Sequence, residues 1–255
     1  MGARLAWNNL LTASGVVITS SADATGYPAG NLSNPARWKP WRSSTTTGDQ
    51  WVKFDLGANR SLQVLAAINA TIHAGGTLKA QANATDSWGS PTIDDLLTVP
   101  STDFTRVLAD WRGASSSLRW IRFYFTNTVA VSSYVELGAA FVGPYLEPAR
   151  SVSPEIALRR IDPSVQRVAI GGQRSAVLRP KYHEVSATFV LQTATARNDL
   201  RAAYETVGGT SSVIFAVDPA NPSLTFYGTL QAALTAQNRG PDLWDMPIEF
   251  VEDVA

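Results

Sequence analysis

Cysteine is absent from the 255 residues, which excludes disulfide frameworks, thiolate-bound zinc, iron–sulfur clusters and thiol catalysis together. Histidine is scarce: the chain has two, His73 and His183, and neither has a second imidazole at metal-ligand spacing. Both are expected to be solvated or structurally satisfied, and no metal or other cofactor is expected. Charge is also low, at 16 % of residues against a usual ~25 %. It is balanced, with 21 basic and 21 acidic side chains, so no global field draws the chain to nucleic acid or to an anionic membrane. The longest apolar stretch, residues 64–72, is interrupted by Asn69 and Thr71 and is far too short to span a bilayer. Residues 1–11 contain one Arg and no apolar run, so no secretory signal is expected and synthesis for use in a cytoplasm is. HExxH, GxSxG and P-loop sequences do not occur, and Gly171-Gly172 is not followed by Lys-Ser or Lys-Thr.

What is present is aromatic. Eight Trp, nine Phe and seven Tyr cannot stay solvated cheaply, so the chain must build a core. Seven of the Trp (Trp7, Trp38, Trp41, Trp51, Trp88, Trp111, Trp120) precede residue 121, and Trp244 alone follows. The proline-bearing run Gly143-Pro144-Tyr145-Leu146-Glu147-Pro148 predicts a boundary near Pro148, giving domains 1–148 and 149–255. In the first, residues 51–56 alternate, with Val52, Phe54 and Leu56 facing one way and Trp51, Lys53 and Asp55 the other. Residues 62–71 are near-continuously apolar, as in a strand covered on both faces. Leu78, Ala80 and Ala82, then Ile121, Phe123 and Phe125, then residues 134–142 supply further short strands. Without any strong helix pattern, the set predicts a β-sandwich jelly roll.

The second domain is predicted to be a small α+β sheet-and-helix unit, so the fold class is mainly β. It opens with an arm or long hairpin, residues 150–181, that has seven basic and two acidic residues and little hydrophobic period. Val185, Ala187, Phe189 and Leu191 form one strand face. Leu200, Ala203, Tyr204 and Val207 have helical spacing, with Thr195 as a candidate N-cap and Gly208-Gly209 as the stop. Strands over 213–217 and 224–230 flank the turn Asp218-Pro219-Ala220-Asn221-Pro222. In the last strand Trp244, Met246, Ile248 and Phe250 share a face, and Pro247 predicts an edge position because it cannot donate to a ladder.

Paired carboxylates are the remaining route to catalysis, since glycoside hydrolysis needs only two. Asp94-Asp95 reads as a solvated loop, and Asp242, Asp245, Glu249, Glu252 and Asp253 read as a solvated face or a subunit contact. No catalytic residue is therefore predicted, and the chain is expected not to be an enzyme. The knot Trp38-Lys39-Pro40-Trp41-Arg42 is different. Aromatic faces stack on sugar rings, and basic side chains donate to hydroxyls or carboxylates. Trp41 is expected to plug the end of the sandwich, while Trp38, Lys39 and Arg42 are the candidate glycan contacts.

Tyr27-Pro28-Ala29-Gly30-Asn31-Leu32, Trp41-Arg42-Ser43, Trp51-Val52-Lys53-Phe54-Asp55-Leu56-Gly57 and Arg119-Trp120-Ile121-Arg122, in that order, resemble the discoidin family. That resemblance covers about the first 148 residues and implies a galactose-binding-like jelly roll. Val135-Glu136-Leu137-Gly138 and Phe141-Val142-Gly143-Pro144 resemble the version found in phage and prophage tail proteins. Tyr227-Gly228-Thr229-Leu230 and the ending 244–252 resemble the ring domain of phage baseplate or distal tail proteins, although there the ring domain comes first. Relatives in the discoidin family often keep a disulfide that this chain lacks. The resemblance implies a structural subunit of a phage tail tip, in the virion, that forms a ring (hexamer or trimer) and contacts tail-tube and tail-hub proteins. The alternative expectation is a non-catalytic carbohydrate-binding module contacting a host surface glycan. In either case no specific nucleic acid and no membrane insertion is expected. For the ring, Arg159, Arg160 and Arg167 of the arm are expected to meet Asp245, Glu249 and Glu252 of a neighbouring copy.

Overall fold

The computed structural model describes residues 2–35, 38–45, 48–71, 76–97, 107–126, 134–168, 170, 172–231 and 234–253. His73 and Gly171 lie outside the described residues. The strands begin with β1 (Arg4–Ala6), β2 (Val17–Ser20), β3 (Trp41–Arg42) and β4 (Gln50–Thr71). Next come β5 (Thr77–Asn83), β6 (Ile93–Leu97), β7 (Val107–Thr126) and β8 (Glu136–Gly143). Then follow β9 (Ala157–Ile161), β10 (Val165–Val168), β11 (Arg174–Val177), β12 (Tyr182–Gln192) and the helix α1 (Ala194–Val207). The last four are β13 (Val213–Ala216), β14 (Thr225–Leu230), β15 (Gln237–Gly240) and β16 (Leu243–Glu252). The fold is mainly β, with antiparallel sheets. Two compact units form, Met1–Glu147 with Val213–Tyr227, and Pro148–Ser212 with Gly228–Ala255. Residues 213–227, which the sequence groups with the second domain, belong here to the first unit.

The first unit is a β-sandwich jelly roll, in the strand order β3-β8-β4-β7-β5-β6 with β2 also on β4. Its two long strands, β4 and β7, shift register between Asp55 and Arg60 and again between Leu62 and Val64. Bulges bend a strand, and these let one hydrogen-bonded sheet supply both layers. The early half of β4 pairs with β2 and the late half with β8. Val52, Phe54, Ile121, Phe123 and Phe125 fill the space between the layers together with Leu65, Ala67, Leu137 and Trp41. The apolar run 62–71 is covered on both faces as its composition predicts. Val64, Ala66 and Ile68 point the other way, into a second cluster with Phe141, Ala6, Ile214 and Tyr227. The Tyr227 hydroxyl is satisfied there, donating to the Pro35 carbonyl at 2.7 Å. Gly143 has a steric reason: a Cβ would lie 2.1 Å from the Asn8 carbonyl oxygen.

In the second unit β12 lies between β9 and β16, and α1 buries Ala196, Leu200, Ala203 and Val207. The helix starts two residues earlier than predicted: Thr193, not Thr195, is the N-cap and accepts from the Ala196 N–H. Leu191 also departs from expectation. The register of β12 slips after Phe189, Leu191 takes φ +50° and turns outward, and Gln192 is buried in its place. Pro247 does not mark an edge, because β16 pairs with β12 on one side and with β14 and β15 on the other. The proline falls between the β15 register, which ends at Asp245, and the β14 register, which begins at Phe250. A missing N–H is tolerated in such a gap.

Candidate functional site

Trp41 is fully buried, in the core cluster between the layers. Its ring sits 6.0 Å from that of Phe125, and its Nε1 donates to Asp23 Oδ1 at 2.9 Å. The same carboxylate accepts from Ser20 and from the Ala29 N–H, so one acid ties the end of β2, residue 29 and β3 together. Arg42 follows on β3. Its guanidinium lies between the rings of Tyr27 and Tyr134, 4.0 and 4.1 Å from their centroids, and its Nε donates to Glu136. Burial alone would lower the Arg42 pKa, but the Glu136 carboxylate outweighs it and the value is raised. Arg42 is thus a fixed clamp, and what it can offer a ligand is the outer edge of its fork.

Trp38, three residues upstream of Trp41, is 65 % exposed. The Lys39 ammonium lies 4.7 Å from its ring centroid. Of the three candidate glycan contacts, the structure pairs Trp38 with Lys39 and sets Arg42 among Tyr27, Tyr134 and Glu136. No contact between these two groups is recorded among the described residues.

The sequence reading missed a second aromatic and basic surface. Trp51, Lys53 and Asp55 of β4 stand opposite Tyr124, Arg122 and Trp120 of β7, which stand opposite Lys79, Gln81 and Asn83 of β5. The period-2 alternation puts all nine on the outer sheet face. Lys53 reaches the rings of Trp51 and Trp120 and pairs with Asp86 at 2.6 Å. Arg119 covers Trp120 and grips Asp55 through Nε and Nη2 at 2.5 and 2.7 Å. Arg122 stacks on Trp88 and Tyr124, and Lys79 pairs with Asp94. The Arg119 fork holds Asp55 below the usual carboxylate range. Asp94 is lowered by hydrogen bonds from Gln81 and Lys79. For Asp86 burial pushes upward, yet the hydrogen bonds from Lys53 and Trp88 leave it lowered. The signal was there in the outward residues of 51–55 and 120–124. Asp94 and Asp95 are strand residues of β6, not a solvated loop, because each has a cross-strand partner, Lys79 or Arg112.

Asp95 and Asp110 share the Arg112 guanidinium. Burial first, and the Asp95 charge second, push Asp110 up to about 6. Asp110 borders a cavity of about 480 Å³ lined also by Arg4, Leu108, Trp111 and Pro219. Among the described residues no group of three or more His, Asp or Glu side chains could hold a metal ion.

In the second unit, Asp245 accepts from the Leu191 N–H and from Arg239, and the two bonds lower its pKa. Glu252 accepts from both the backbone and the ring of His183. Of the three acids expected to face a neighbouring copy, Glu249 is the exposed one. Cross-strand geometry explains the other two: β16 is an interior strand, so its outward acids find partners on β12 and β15. Arg159 and Arg160 lie exposed on β9 and Arg167 on β10. Beside them Val165, Val168, Ile170, Val177 and Leu178 are exposed as well.

No family model matches the chain, and no curated protein matches it. Solved structures do. CpGH89CBM32-6 produced by Clostridium perfringens aligns at 14 % identity over 53 % of this chain and 98 % of that one, with a TM-score of 0.39. Chitosan-binding module 1 from a chitosanase/glucanase of Paenibacillus sp. IK-5 aligns at 18 % identity over 54 % and 99 %, at 0.41. The lectin domain of lectinolysin complexed with Lewis B antigen aligns at 11 % identity over 53 % and 95 %, at 0.42. The fold assignment rests on strand topology and packing, not on these likenesses.

Proposed function

We propose that the chain is a non-catalytic glycan-binding protein and that its contact surface is the Trp38–Lys39 loop beside the Arg42 clamp. The observation that carries this reading is Trp38, an indole left 65 % exposed next to a ring, Trp41, that the fold buries completely. An exposed indole offers an apolar face to sugar C–H groups, and Lys39 and the outer edge of Arg42 offer donors to hydroxyls. The clamp between Tyr27 and Tyr134 keeps the Arg42 donors ordered before a ligand arrives, which lowers the entropic cost of binding. An array of neutral and acidic oligosaccharides, probed with the full chain and with Trp38→Ala, tests it. Loss of the bound signals in the variant supports the reading, and unchanged signals refute it.

A second reading is a subunit of a bacteriophage tail tip that assembles as a homo-oligomeric ring. It is favoured by the β10–β11 hairpin, where five large apolar side chains stay exposed among arginines. A second copy would cover them and bring Glu249 as the accessible acid. Light scattering on the parent and on the chain with Arg159, Arg160 and Arg167 reversed to Glu decides this. A parent that stays monomeric, or a variant that assembles equally well at low salt, rules it out.

A further inference from the structure

The second unit holds a cavity of about 520 Å³ beside α1, lined by Arg197, Arg201, Tyr204 and Glu205 with Trp244 and Met246 of β16. Its volume is in the range of small-ligand sites. Most of its polar lining donates: two guanidinium groups and a phenol, against the single carboxylate of Glu205. Glu205 is already engaged by Arg201 Nε at 2.7 Å, one helical turn away. Arg197 has no carboxylate partner among the described residues. Its Nε and Nη2 donate to Asn198 Oδ1 on its own helix, and its guanidinium is stacked 4.3 Å from the Trp244 ring. Arg4, Arg42, Arg112, Arg119 and Arg239 each pair with an acid, whereas Arg122, like Arg197, donates to a side-chain amide oxygen. Trp244 Nε1 is buried with no hydrogen-bond partner, a cost that folded proteins seldom leave standing without a reason. The cavity thus joins a half-buried guanidinium, stacked on an indole and without a carboxylate partner among the described residues, to the apolar side chain of Met246.

We propose that this cavity binds an acidic sugar residue, its carboxylate or sulfate on Arg197 and Arg201 and its ring over Met246 and the edge of Trp244. This rests on the glycan-binding reading for the class of ligand, but uses a different unit and different residues. Carboxylate and sulfate have the same demand for a guanidinium fork, so both are probed.

The experiment follows the Trp244 indole N–H signal in NMR spectra of the full chain, identified by its loss in Trp244→Phe. Sodium glucuronate, glucose 6-sulfate, methyl glucoside and inorganic sulfate are titrated at constant ionic strength. Saturable movement with glucuronate or glucose 6-sulfate is expected, with none from methyl glucoside. Arg197→Gln should weaken the acidic sugar about ten-fold or more, as removal of a charged hydrogen-bond partner does. Movement by methyl glucoside equal to that by the acidic sugars, no saturable movement, or undiminished binding to Arg197→Gln overturns the proposal. Equal affinity for inorganic sulfate overturns the sugar assignment. Trp38→Ala separates the two sites: it should leave the Trp244 response intact, and a Trp244 response in a chain that binds no neutral glycan would fail the Trp38 reading alone.

Discussion

Two surfaces of the first unit are made from the same residue types, indoles and basic side chains, and differ in what the bases contact. On the outer sheet face Lys53, Lys79 and Arg119 each rest on a carboxylate, and the rings of Trp51, Trp88 and Trp120 lie beneath cations. Arg122 of that face donates to Gln81 instead and stacks on Trp88 and Tyr124. In the loop before β3, Lys39 has a ring beside it and Trp38 is open to water. Aromatic and basic composition marks both equally. On the proposed reading, internal neutralisation is what separates the sheet face from the surface that meets a ligand.

The largest test of that contrast is in the residue that anchors the open surface. Trp41→Ala should cost ~3–5 kcal/mol in denaturant unfolding, because it empties a fully buried site. Trp120→Ala on the half-exposed sheet face should cost less than half as much. A cost for Trp120 equal to that for Trp41 would mean that the sheet face is core.

The next effect concerns Asp110, where burial and a like charge act instead of pairing. An acid raised from 3.8 to about 6 in the fold stabilises it below its ordinary value, and that contribution is lost as pH rises through about 6. The carboxylates of the sheet face act in the opposite sense. Asp55, Asp86 and Asp94 are lowered, so their contribution is present above pH 3.8 and lost as pH falls below it. Asp110→Asn should therefore remove on the order of 2 kcal/mol of the stability decline between pH 4 and 7. Denaturant midpoints across that range check this. An unchanged pH profile would mean that Asp110 ionises normally.

Smaller still is the sheet-face ion pair. Lys53→Met should change stability by less than about 1 kcal/mol, since pairs near water are worth little, and thermal melts would show it. A larger loss would mean that the network works as a unit.

Much of this was legible in the chain. The alternation at 51–56 and 121–125, the doubly covered run at 62–71, the helix near 200 and the burial of Trp41 all follow from side-chain period and ring size. What was not legible depends on partners distant in sequence. Thr193 and Thr195 are equally good caps until the end of β12 is known. Pro247 looks like an edge marker until two separate strands are seen to share one side of β16. Asp245 and Glu252 look like a free acidic stripe until Arg239, the Leu191 N–H and His183 are found beside them. Residue type named Trp38, Lys39 and Arg42 as candidate glycan contacts, but it could not show that Trp38 is exposed or that Arg42 is already clamped.

The central claim is that Trp38, and not the sheet face, meets the ligand. Neutral oligosaccharides on an array, probed with the full chain as wild type, Trp38→Ala and Trp51→Ala, test it most directly. Trp38→Ala should change stability by no more than about 0.5 kcal/mol, as an exposed substitution does, and should lose the glycans that wild type retains. Trp51→Ala should keep them. Retention by Trp38→Ala together with loss by Trp51→Ala would contradict the account and move the binding surface to the sheet face.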